Sequence, residues 1–498
     1  MRPYRLSLLH IDRRRKETVS AKQLSRRSLL QMVGGGALAA LLASCQPKVV
    51  EKVVKETVEV EKLVKETVEV EKEIEKVVEV TAPPVKKERI KEVLTWYWDF
   101  TDWDKTLEMD PKPEGFEHAK WLKENFEERG WKLLGENHGW PLREPFLLTL
   151  AAGNPPDVLP GEGFVHEFAT LGVFAECPNI NPDDFVRGCI AGAVMRDKVY
   201  GVPEYTTSYA LEVNTLVADE LGIDPKPPKN WDELLTNSRM AKEKGNGEIF
   251  GYTVWGPIPK DLYGIMLIAA PLILRAEGPM GTDDGMTPSF NAIGAAKGYE
   301  LLRQLCKTSD PDVTFGGQGG AFSAALWNDK ALYHLESILG VGKLHGCDHT
   351  FHTPIPVCEA ASCARRNMVG ANLFLSPVSA GKNPEGGVAF CEFMGELETQ
   401  WQVPRLYGHR LPTLKAVLED PKVTGSDGYA RLGIEEAAAV HAEILLNEET
   451  HPVPPWPVNA DRIWKMWQEG FGRILLEDVS VQEVLDEIQA EAERLLTA

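Results

Sequence analysis

A run of aromatic and acidic side chains near residue 100 has the residue types that bind sugars. It is Trp96-Tyr97-Trp98-Asp99-Phe100-Thr101-Asp102-Trp103. Flat aromatic faces cover the C–H surface of a sugar ring, and carboxylates accept hydrogen bonds from its hydroxyl groups. Side chains alternate along a strand, so Trp96 and Trp98 share one face and Tyr97 takes the other. Some of these rings could instead belong to the core, and we favour Trp98, Asp99 and Asp102 as ligand contacts.

A second cluster has residue types that ligate metals. Residues 345–352 hold three histidines, a cysteine and an aspartate, and Cys358 and Cys363 follow them. Imidazole, thiolate and carboxylate groups together could hold zinc or copper. The spacing matches no established zinc-finger or zincin pattern, and no helix places His345 and His349 convincingly on one face. We therefore favour a loop with a disulfide or unpaired thiols, and we expect no metal and no cofactor.

The motifs of common catalytic sites are missing from the sequence. It has no Gly-x-Ser-x-Gly elbow, no Gly-x-x-x-x-Gly-Lys-Ser/Thr phosphate loop and no His-Glu-x-x-His pair. Residues 316–320 are glycine-rich but lack the lysine, and we expect them to form a loop before a helix that begins near Ala321. The spacing of carboxylate pairs for glycoside hydrolysis cannot be obtained from sequence. We therefore predict a protein that is not an enzyme and has no catalytic residues.

Short apolar runs alternate with amphipathic stretches of helix length beyond residue 92. The pattern predicts strands over Val93–Phe100, Trp131–Gly135 and Pro156–Leu159, and helices over Phe116–Glu128 and Leu142–Ala152, the second ended by Gly153. Such alternation is typical of an α/β fold with largely parallel sheets. Ligands bind these sheets beyond the carboxyl ends of the strands, so the loops after Phe100 and Leu159 are the expected position of a site.

The 498-residue chain is acidic, with a net charge of −20. Its basic character is confined to the N-terminal segment. Nucleic-acid binding requires a basic surface that neutralises phosphates, so we expect no nucleic-acid partner.

The first 45 residues have the features of an export signal. Basic residues lead to Arg26-Arg27 and then to an apolar segment that is too short and small-sided for a membrane-spanning helix. The paired arginines resemble a twin-arginine signal, and Leu42-Ala43-Ser44-Cys45 resembles a bacterial lipobox, whose cysteine is acylated. We predict that Cys45 carries a lipid anchor on the outer face of the cytoplasmic membrane. An ordinary signal peptide with an incidental cysteine is the alternative.

Residues 46–92 form a second unusual segment. A charged unit, Val54–Lys62, recurs unchanged ten residues later, without glycine or aromatic residues. Such a sequence cannot close a core alone, so we predict a charged tether between the anchor and the folded part.

Six segments carry a family resemblance: Leu150–Val158, Asp197–Pro203, Pro228–Leu234, Ser376–Phe393, Arg410–Thr413 and Ser480–Leu485. In this order they resemble motifs of the family-1 extracellular solute-binding proteins, the lipid-anchored receptors of ABC importers. The resemblance implies a two-lobed, periplasmic-binding-protein-like α/β fold with hinge-linked lobes and a central ligand cleft. It places the first lobe at 93–205 plus 377–412, and the second at 206–376 plus 413–498. The implied partners are a ligand and the transmembrane subunits of an ABC permease.

Other candidate ligand contacts lie at positions equivalent to those of the family. They are Glu162 after the second strand end, Glu204 and Tyr205 at the first expected crossing strand, Trp255, Glu336 after an apolar strand, and Trp456 among prolines. Because Pro454, Pro455 and Pro457 exclude a helix interior, we expect the Trp456 ring to be displayed rather than packed. For the carboxylates, a helix cap or a solvated surface group is the alternative interpretation.

Together these features predict a protein that captures a solute between two lobes and delivers it to a permease. The supply of aromatic residues favours a carbohydrate over an inorganic ion but does not choose the sugar. Two alternatives remain open from the sequence: a secreted metal- or carboxylate-dependent hydrolase, and a ligand receptor that feeds a sensor.

Overall fold

The structure is a computed structural model, and it describes residues 91–97, 103–113, 115–138, 142–161, 164–254, 270–276, 278–292, 294–312, 321–360, 363–370, 374–452 and 454–497. The expected signal, the expected tether up to residue 90 and the glycine-rich residues 316–320 lie outside these ranges. None of the described helices is long and apolar enough to cross a membrane.

Strands and helices alternate along most of the described chain. The strands are β1 (Glu92–Thr95), β2 (Lys132–Gly135), β3 (Val158–Gly161), β4 (Val194–Met195), β5 (Lys198–Val199), β6 (Val202–Pro203), β7 (Thr207–Asn214), β8 (Phe250–Thr253), β9 (Ala331–Ser337), β10 (Thr350–Thr353), β11 (Arg366–Gly370), β12 (Phe374–Pro377) and β13 (Glu449–His451).

The helices pack on the faces of the sheets that these strands form. They are α1 (Trp103–Glu108), α2 (Phe116–Glu128), α3 (Arg143–Ala151), α4 (Val165–Thr170), α5 (Arg187–Ala191), α6 (Thr215–Leu221), α7 (Trp231–Lys244), α8 (Ala295–Cys306), α9 (Ala321–Trp327), α10 (Pro384–Met394), α11 (Leu397–Gln402), α12 (Lys415–Leu418), α13 (Asp427–Leu432), α14 (Glu435–Asn447), α15 (Ala460–Leu476) and α16 (Val481–Thr497). Residues 270–276 are also helical.

Helix α2 has the bounds that its sequence predicts. Its buried residues Phe116, Ala119, Leu122 and Phe126 recur three or four positions apart, which gives the helix one apolar face. The Phe126 ring meets that of Phe390 in α10, with 5.0 Å between centroids. Strand β2 and helix α3 also lie within one residue of their predicted bounds. Gly153 follows α3 with a φ of +70°, which confirms its predicted role in ending the helix.

Strand β1 is shorter than predicted, because it ends at Thr95 instead of continuing to Phe100. The Tyr97 amide donates to Thr95 Oγ1 at 3.0 Å. A side-chain acceptor therefore takes the backbone donor that a longer strand would have paired with its neighbour. Trp96 and Tyr97 consequently follow the strand as a loop rather than alternating along it.

The first sheet has the strand order β2-β1-β3-β12-β6. Strands β2, β1 and β3 are parallel, as predicted, whereas β12 runs antiparallel to both β3 and β6. Its main core contains Val93 of β1, Leu122 of α2 and Phe390 of α10, all fully buried.

The second sheet has the order β13-β11-β7-β9-β8, and β10 also pairs with β7. The prediction of a largely parallel sheet is wrong here, because β7 runs antiparallel to β9, β10 and β11. The chain enters the second sheet along β7, and β9 pairs with β7 in the opposite direction. All eight residues of β7 are buried. Strand β7 is therefore the central element of this sheet.

The chain passes between the two sheets over residues 204–206, which join β6 to β7. Thr206 forms an antiparallel bridge with Leu411, so a second segment accompanies this crossing strand. Residues 371–373 make another connection, from β11 in the second sheet to β12 in the first. Strand β12 begins three residues before the predicted lobe boundary at 377. The described chain thus has two α/β lobes joined by several passages.

Candidate ligand-binding cleft

The parallel strands β1, β2 and β3 end at one edge of the first sheet. The predicted contacts Trp98, Asp99, Asp102 and Glu162 come directly after two of these strand ends in the sequence, and they lie outside the described residues. Trp255, which comes two residues after β8 in the second lobe, also lies outside them. Their role as ligand contacts stays a prediction.

The described part of the aromatic run belongs to the core. Trp96 is 2% exposed and stacks on His138, with 3.8 Å between ring centroids. Tyr97 is fully buried, and its hydroxyl donates to Glu204 Oε1 at 2.5 Å. These two rings therefore hold the backbone that follows β1 in place.

Glu204 and Tyr205 are buried within the crossing strand. Gln400 Nε2 donates to the Glu204 carbonyl at 2.8 Å, and His118 Nδ1 lies 3.6 Å from Glu204 Oε1. The Arg410 guanidinium lies over the Tyr205 ring, 4.7 Å from its centroid. The structure thus places both predicted residues in a polar cluster that attaches the crossing strand to the first lobe. Sequence reasoning missed His118, Gln400 and Arg410, because their partners are distant in the chain.

Glu336 lies at the end of β9 and is mostly buried. Burial alone would raise the pKa of its carboxyl group, but hydrogen bonds from His334, Ser337 and Ser323 outweigh this effect and lower the pKa. Strands β8 and β9 are parallel, so Glu336 lies at the same edge as the residues after β8. Tyr209, near the start of β7, pairs with Ser337. This edge of the second sheet therefore adjoins the crossing strand.

The prediction that the Trp456 ring is displayed is wrong. The side chain is 0% exposed, and its ring packs against Phe290 and Trp464, with centroids 5.6 and 6.0 Å away. A Cβ atom on Gly281 would come within 2.7 Å of the ring, so a glycine is needed beside it. The flanking prolines restrict only the backbone, and burial of so large an apolar ring decides where the side chain points. Trp456 is a core residue of the second lobe in this arrangement.

The histidine- and cysteine-rich region is divided between several environments. Cys358 and Cys363 form a disulfide, in agreement with the favoured loop interpretation. His352 is buried, and its Nδ1 lies 2.8 Å from His441 Nε2. The His345 ring stacks on Trp327, with 3.6 Å between centroids. The seven side chains of the predicted cluster therefore do not converge on one point.

Contacts between the lobes were not foreseen from the sequence. Arg143 Nη1 in α3 lies 2.8 Å from Asp461 Oδ2 in α15, and Arg187 Nη2 in α5 lies 2.5 Å from Asp283 Oδ2. His166 Nδ1 in α4 donates to the Asp284 carbonyl at 3.2 Å. Helices α3 and α4 follow the carboxyl ends of β2 and β3, so the contacts of Arg143 and His166 bridge the edge at which a ligand is expected.

A cavity of ≈ 830 Å³ lies beside the Arg187–Asp283 pair. Residues of both lobes line it, among them Arg187, Arg196, Asp283, Met286 and Leu496. Its volume is in the range of small-molecule sites. Of the predicted ligand contacts that the structure describes, none lines this cavity.

Solved structures share this architecture over most of their length. The GacH receptor of Streptomyces glaucescens, determined unliganded and with acarbose, is 18% identical with a TM-score of 0.63, covering 82% of this chain and 98% of that one. A solute-binding protein of an ABC transporter from Thermotoga lettingae, bound with α-D-tagatose, is 18% identical with a TM-score of 0.62, covering 81% and 99%. The cyclic α-maltosyl-1,6-maltose binding protein of Arthrobacter globiformis is 17% identical with a TM-score of 0.65, covering 81% and 98%. The likeness confirms the predicted two-lobed α/β fold.

Residues 143–335 match the sequence family described as bacterial extracellular solute-binding protein. This stretch runs from α3 through the crossing strand to β9 and includes the segments at 150–158, 197–203 and 228–234 that carried the resemblance. The chain is similar to this family over that stretch. No curated protein matches the chain significantly in sequence.

The ion pairs between the lobes are expected to favour a closed arrangement of the two lobes. Removing Arg143 and Arg187 together, as Arg143→Ala with Arg187→Ala, should increase the population with separated lobes. Each pair is partly exposed and contributes about 1 kcal/mol or less, so the shift should be modest. Small-angle X-ray scattering of the ligand-free protein should give a larger radius of gyration for the double variant.

The matched control for this double variant is Arg129→Ala. Arg129 pairs with Glu396, and both lie beside the core of the first sheet. Its removal should leave the radius of gyration unchanged. Equal radii for the wild type and the double variant would show that these pairs do not favour closure.

The buried His118 predicts how the stability of the protein depends on pH. Burial lowers the pKa of His118 to about 3, so the folded protein holds it neutral at pH values above this. An unfolded histidine has a pKa of about 6.5, so unfolding takes up a proton between pH 6.5 and about 3. The free energy of unfolding should therefore fall as the pH decreases through this range.

His118→Phe should reduce the proton uptake on unfolding by about one per molecule. The uptake should not vanish, because burial also places the pKa of His441 well below its usual value. Denaturant unfolding at several pH values between 4 and 7 measures it. His138→Gln, at a partly exposed ring, is the control. An unchanged pH slope in His118→Phe would mean that His118 is already protonated in the folded protein.

Proposed function

We propose that this protein captures a carbohydrate in the cleft between its lobes and delivers it to the transmembrane subunits of an ABC permease. The observation that carries the proposal is the meeting of the two lobes across the carboxyl edge of the first sheet, the edge at which β1 ends before the aromatic and acidic run begins in the sequence. The proteins of similar fold were solved with acarbose, with α-D-tagatose, or as binders of a cyclic maltosyl-maltose.

The proposed contacts come from both lobes. Trp98 supplies an aromatic face and Asp99, Asp102 and Glu162 supply hydrogen-bond acceptors from the first lobe. The proposed contacts from the second lobe are Trp255 and Glu336. A sugar that bridges the two sets gains more contacts in the closed state than in the open state, so it shifts the population toward closure. The permease would then recognise the closed, loaded form.

The lobe boundaries are part of the proposal. The first lobe comprises residues 93–205 plus 377–412, and the second comprises residues 206–376 plus 413–498. Glu204 and Tyr205 are then hinge residues, because they anchor the crossing strand in a buried polar cluster. We propose that these two residues position the lobes. They would affect ligand binding only indirectly, without contacting the ligand.

The ligand proposal is tested by thermal unfolding of the full chain against a panel of mono- and oligosaccharides. A ligand that binds only the folded state raises the unfolding midpoint with its concentration, by the equivalent of about 2.7 kcal/mol at 100 times Kd. We expect one sugar class to raise the midpoint. Trp98→Ala should weaken binding of that sugar at least about tenfold, or about 1.4 kcal/mol.

The matched control is Trp103→Ala, at a ring that stacks on Phe116 with 5.7 Å between centroids. Its Kd for the sugar should equal that of the wild type. A panel without any midpoint shift contradicts the carbohydrate assignment. Conversion of the sugar during incubation favours a hydrolase. Unchanged uptake of the bound sugar by cells that lack the protein contradicts the role in import.

We propose further that the protein is a lipoprotein, exported by the twin-arginine route and anchored through Cys45. The support is the sequence Arg26-Arg27 before the apolar segment and Leu42-Ala43-Ser44-Cys45 after it. Residues 46–92 would then be a tether that separates the solute-binding lobes from the membrane surface. The acyl chains hold the protein at the membrane by burying their methylene groups in the lipid.

Cys45→Ser is expected to move the exported protein from the membrane fraction to the soluble fraction of a bacterial host. Replacing Arg26 and Arg27 by lysine should instead leave the protein inside the cell. Fractionation followed by immunoblotting measures both, and Cys306→Ser, at a buried thiol, is the control. A Cys45→Ser protein that remains with the membrane after a high-salt wash would refute the anchor.

A further inference from the structure

Three potential metal ligands converge at one end of the second sheet. They are Asp329, which follows α9, and Cys347 and His349, which precede β10. His349 Nε2 lies 2.6 Å from Asp329 Oδ1 and 3.4 Å from Cys347 Sγ. One ligand atom from each residue lies within 4.8 Å of the other two. The sequence cluster around His345 thus contributes two of these residues, and a distant loop contributes the third.

Hydrogen bonds hold each of the three residues in place. The Cys347 amide donates to the Gly342 carbonyl at 3.0 Å. The His349 carbonyl accepts from both the amide and the hydroxyl of Thr215, at 3.0 and 2.8 Å. Asn214 Nδ2 donates to Asp329 Oδ1 at 2.8 Å. The group is therefore preorganised by contacts outside itself, as the ligands of metal sites are.

The backbone of Asp329 is left-handed just after α9. Its φ is +59°, in the left-handed region that residues other than glycine adopt only uncommonly. Its amide donates to the Leu326 carbonyl at the end of α9. This conformation turns the carboxylate back toward His349, where it lies between the imidazole and Asn214.

The geometry suits a tetrahedral ion. Zinc with bonds of about 2.3 Å to sulfur and about 2.0 Å to nitrogen separates these two atoms by about 3.5 Å, close to the spacing found here. The carboxylate and imidazole would have to move apart by less than about 1 Å to accept the ion between them. Cys347 is buried, whereas the side chains of Asp329 and His349 are 37% and 35% exposed. Solvent can therefore reach a fourth coordination position.

We propose that Asp329, Cys347 and His349 form a site for a divalent transition metal of the zinc class, with water as the fourth ligand. Thiolate and imidazole ligands select zinc and its neighbours over magnesium or calcium. Cys358 and Cys363, the other thiols of this region, are not ligands, because they are bonded to each other.

The proposed metal site is separate from the solute cleft. Asn214 ends β7, whereas Thr207 begins it next to the crossing strand. Seven residue steps of about 3.4 Å place these ends roughly 24 Å apart. The ion would join the loop after α9 to the loop before β10, both of which lead into partners of β7. It would thus stabilise the far end of the second lobe without touching the solute.

Cobalt titration of the full chain tests this site, because a cobalt–thiolate bond gives a charge-transfer absorption band. We expect the band to saturate at one Co²⁺ per chain and to disappear when Zn²⁺ is added. Cys347→Ser should abolish the band. Asp329→Asn and His349→Gln should each weaken binding at least about tenfold.

Two control variants change nearby or chemically similar residues outside the site. Cys306→Ser removes another buried thiol, and His345→Gln removes a histidine that stacks on Trp327. Both should retain the band and its affinity. Thermal unfolding without metal shows whether each variant is folded, and Zn²⁺ should raise the midpoint of the wild type but not that of His349→Gln.

Three results would overturn the metal site. They are the absence of a saturable thiolate band in the wild type, a band that persists in Cys347→Ser, and wild-type affinity in both Asp329→Asn and His349→Gln. If Cys347→Ser does not fold, the other two variants decide the question. In each of these cases the three residues are only a hydrogen-bonded acid and imidazole beside a buried thiol.

Discussion

The attachment of the crossing strand to the first lobe is the constraint on which the rest of the structure depends. Gln400 donates from one amide group to the carbonyls of Pro203 and Glu204, and its oxygen accepts from Thr413. Tyr97 adds a bond from the end of β1 to the Glu204 carboxyl group. All of these groups are buried, so breaking any bond would leave a desolvated polar atom without its partner. The first lobe therefore holds the point at which the chain leaves for the second sheet.

From this fixed point the two sheets turn toward each other the edges at which a ligand is expected. Strands β1, β2 and β3 end toward the second lobe, and β9 ends beside the start of β7. Loops at such edges are free to carry binding residues, because the strands beneath them carry the packing. The contacts of Arg143 and His166 arise in the same way, from helices that follow these strand ends. The same arrangement of strands thus positions both the loops in which binding residues are expected and the contacts that join the two lobes.

Strand β7 contacts three different environments of the second lobe at successive positions along its length. Its start adjoins the crossing strand and the cleft. Farther along, Ser208 and Glu212 contribute to buried polar contacts, in which Ser208 Oγ lies 2.8 Å from His441 Nδ1 and Glu212 Oε1 accepts from the Gly342 amide. Its end supplies Asn214, which orients Asp329 in the proposed metal site. Every residue of β7 is buried, so all three environments adjoin the core of the second lobe.

The sequence by itself determined most of the local elements, the resemblance to solute-binding proteins and the loops in which binding residues are to be sought. Helix α2 and the stop at Gly153 follow from periodicity and backbone freedom, which are local properties. Side-chain direction was decided by the tertiary structure. Trp456 packs inward because an aromatic pocket around Phe290 and Trp464 exists, and β1 ends early because Thr95 takes a backbone donor. Antiparallel pairing of β7, the partners of Glu204 and the convergence of Asp329 with His349 all join residues far apart in the chain. Such contacts depend on how the sheets are assembled, which no local pattern in the sequence encodes.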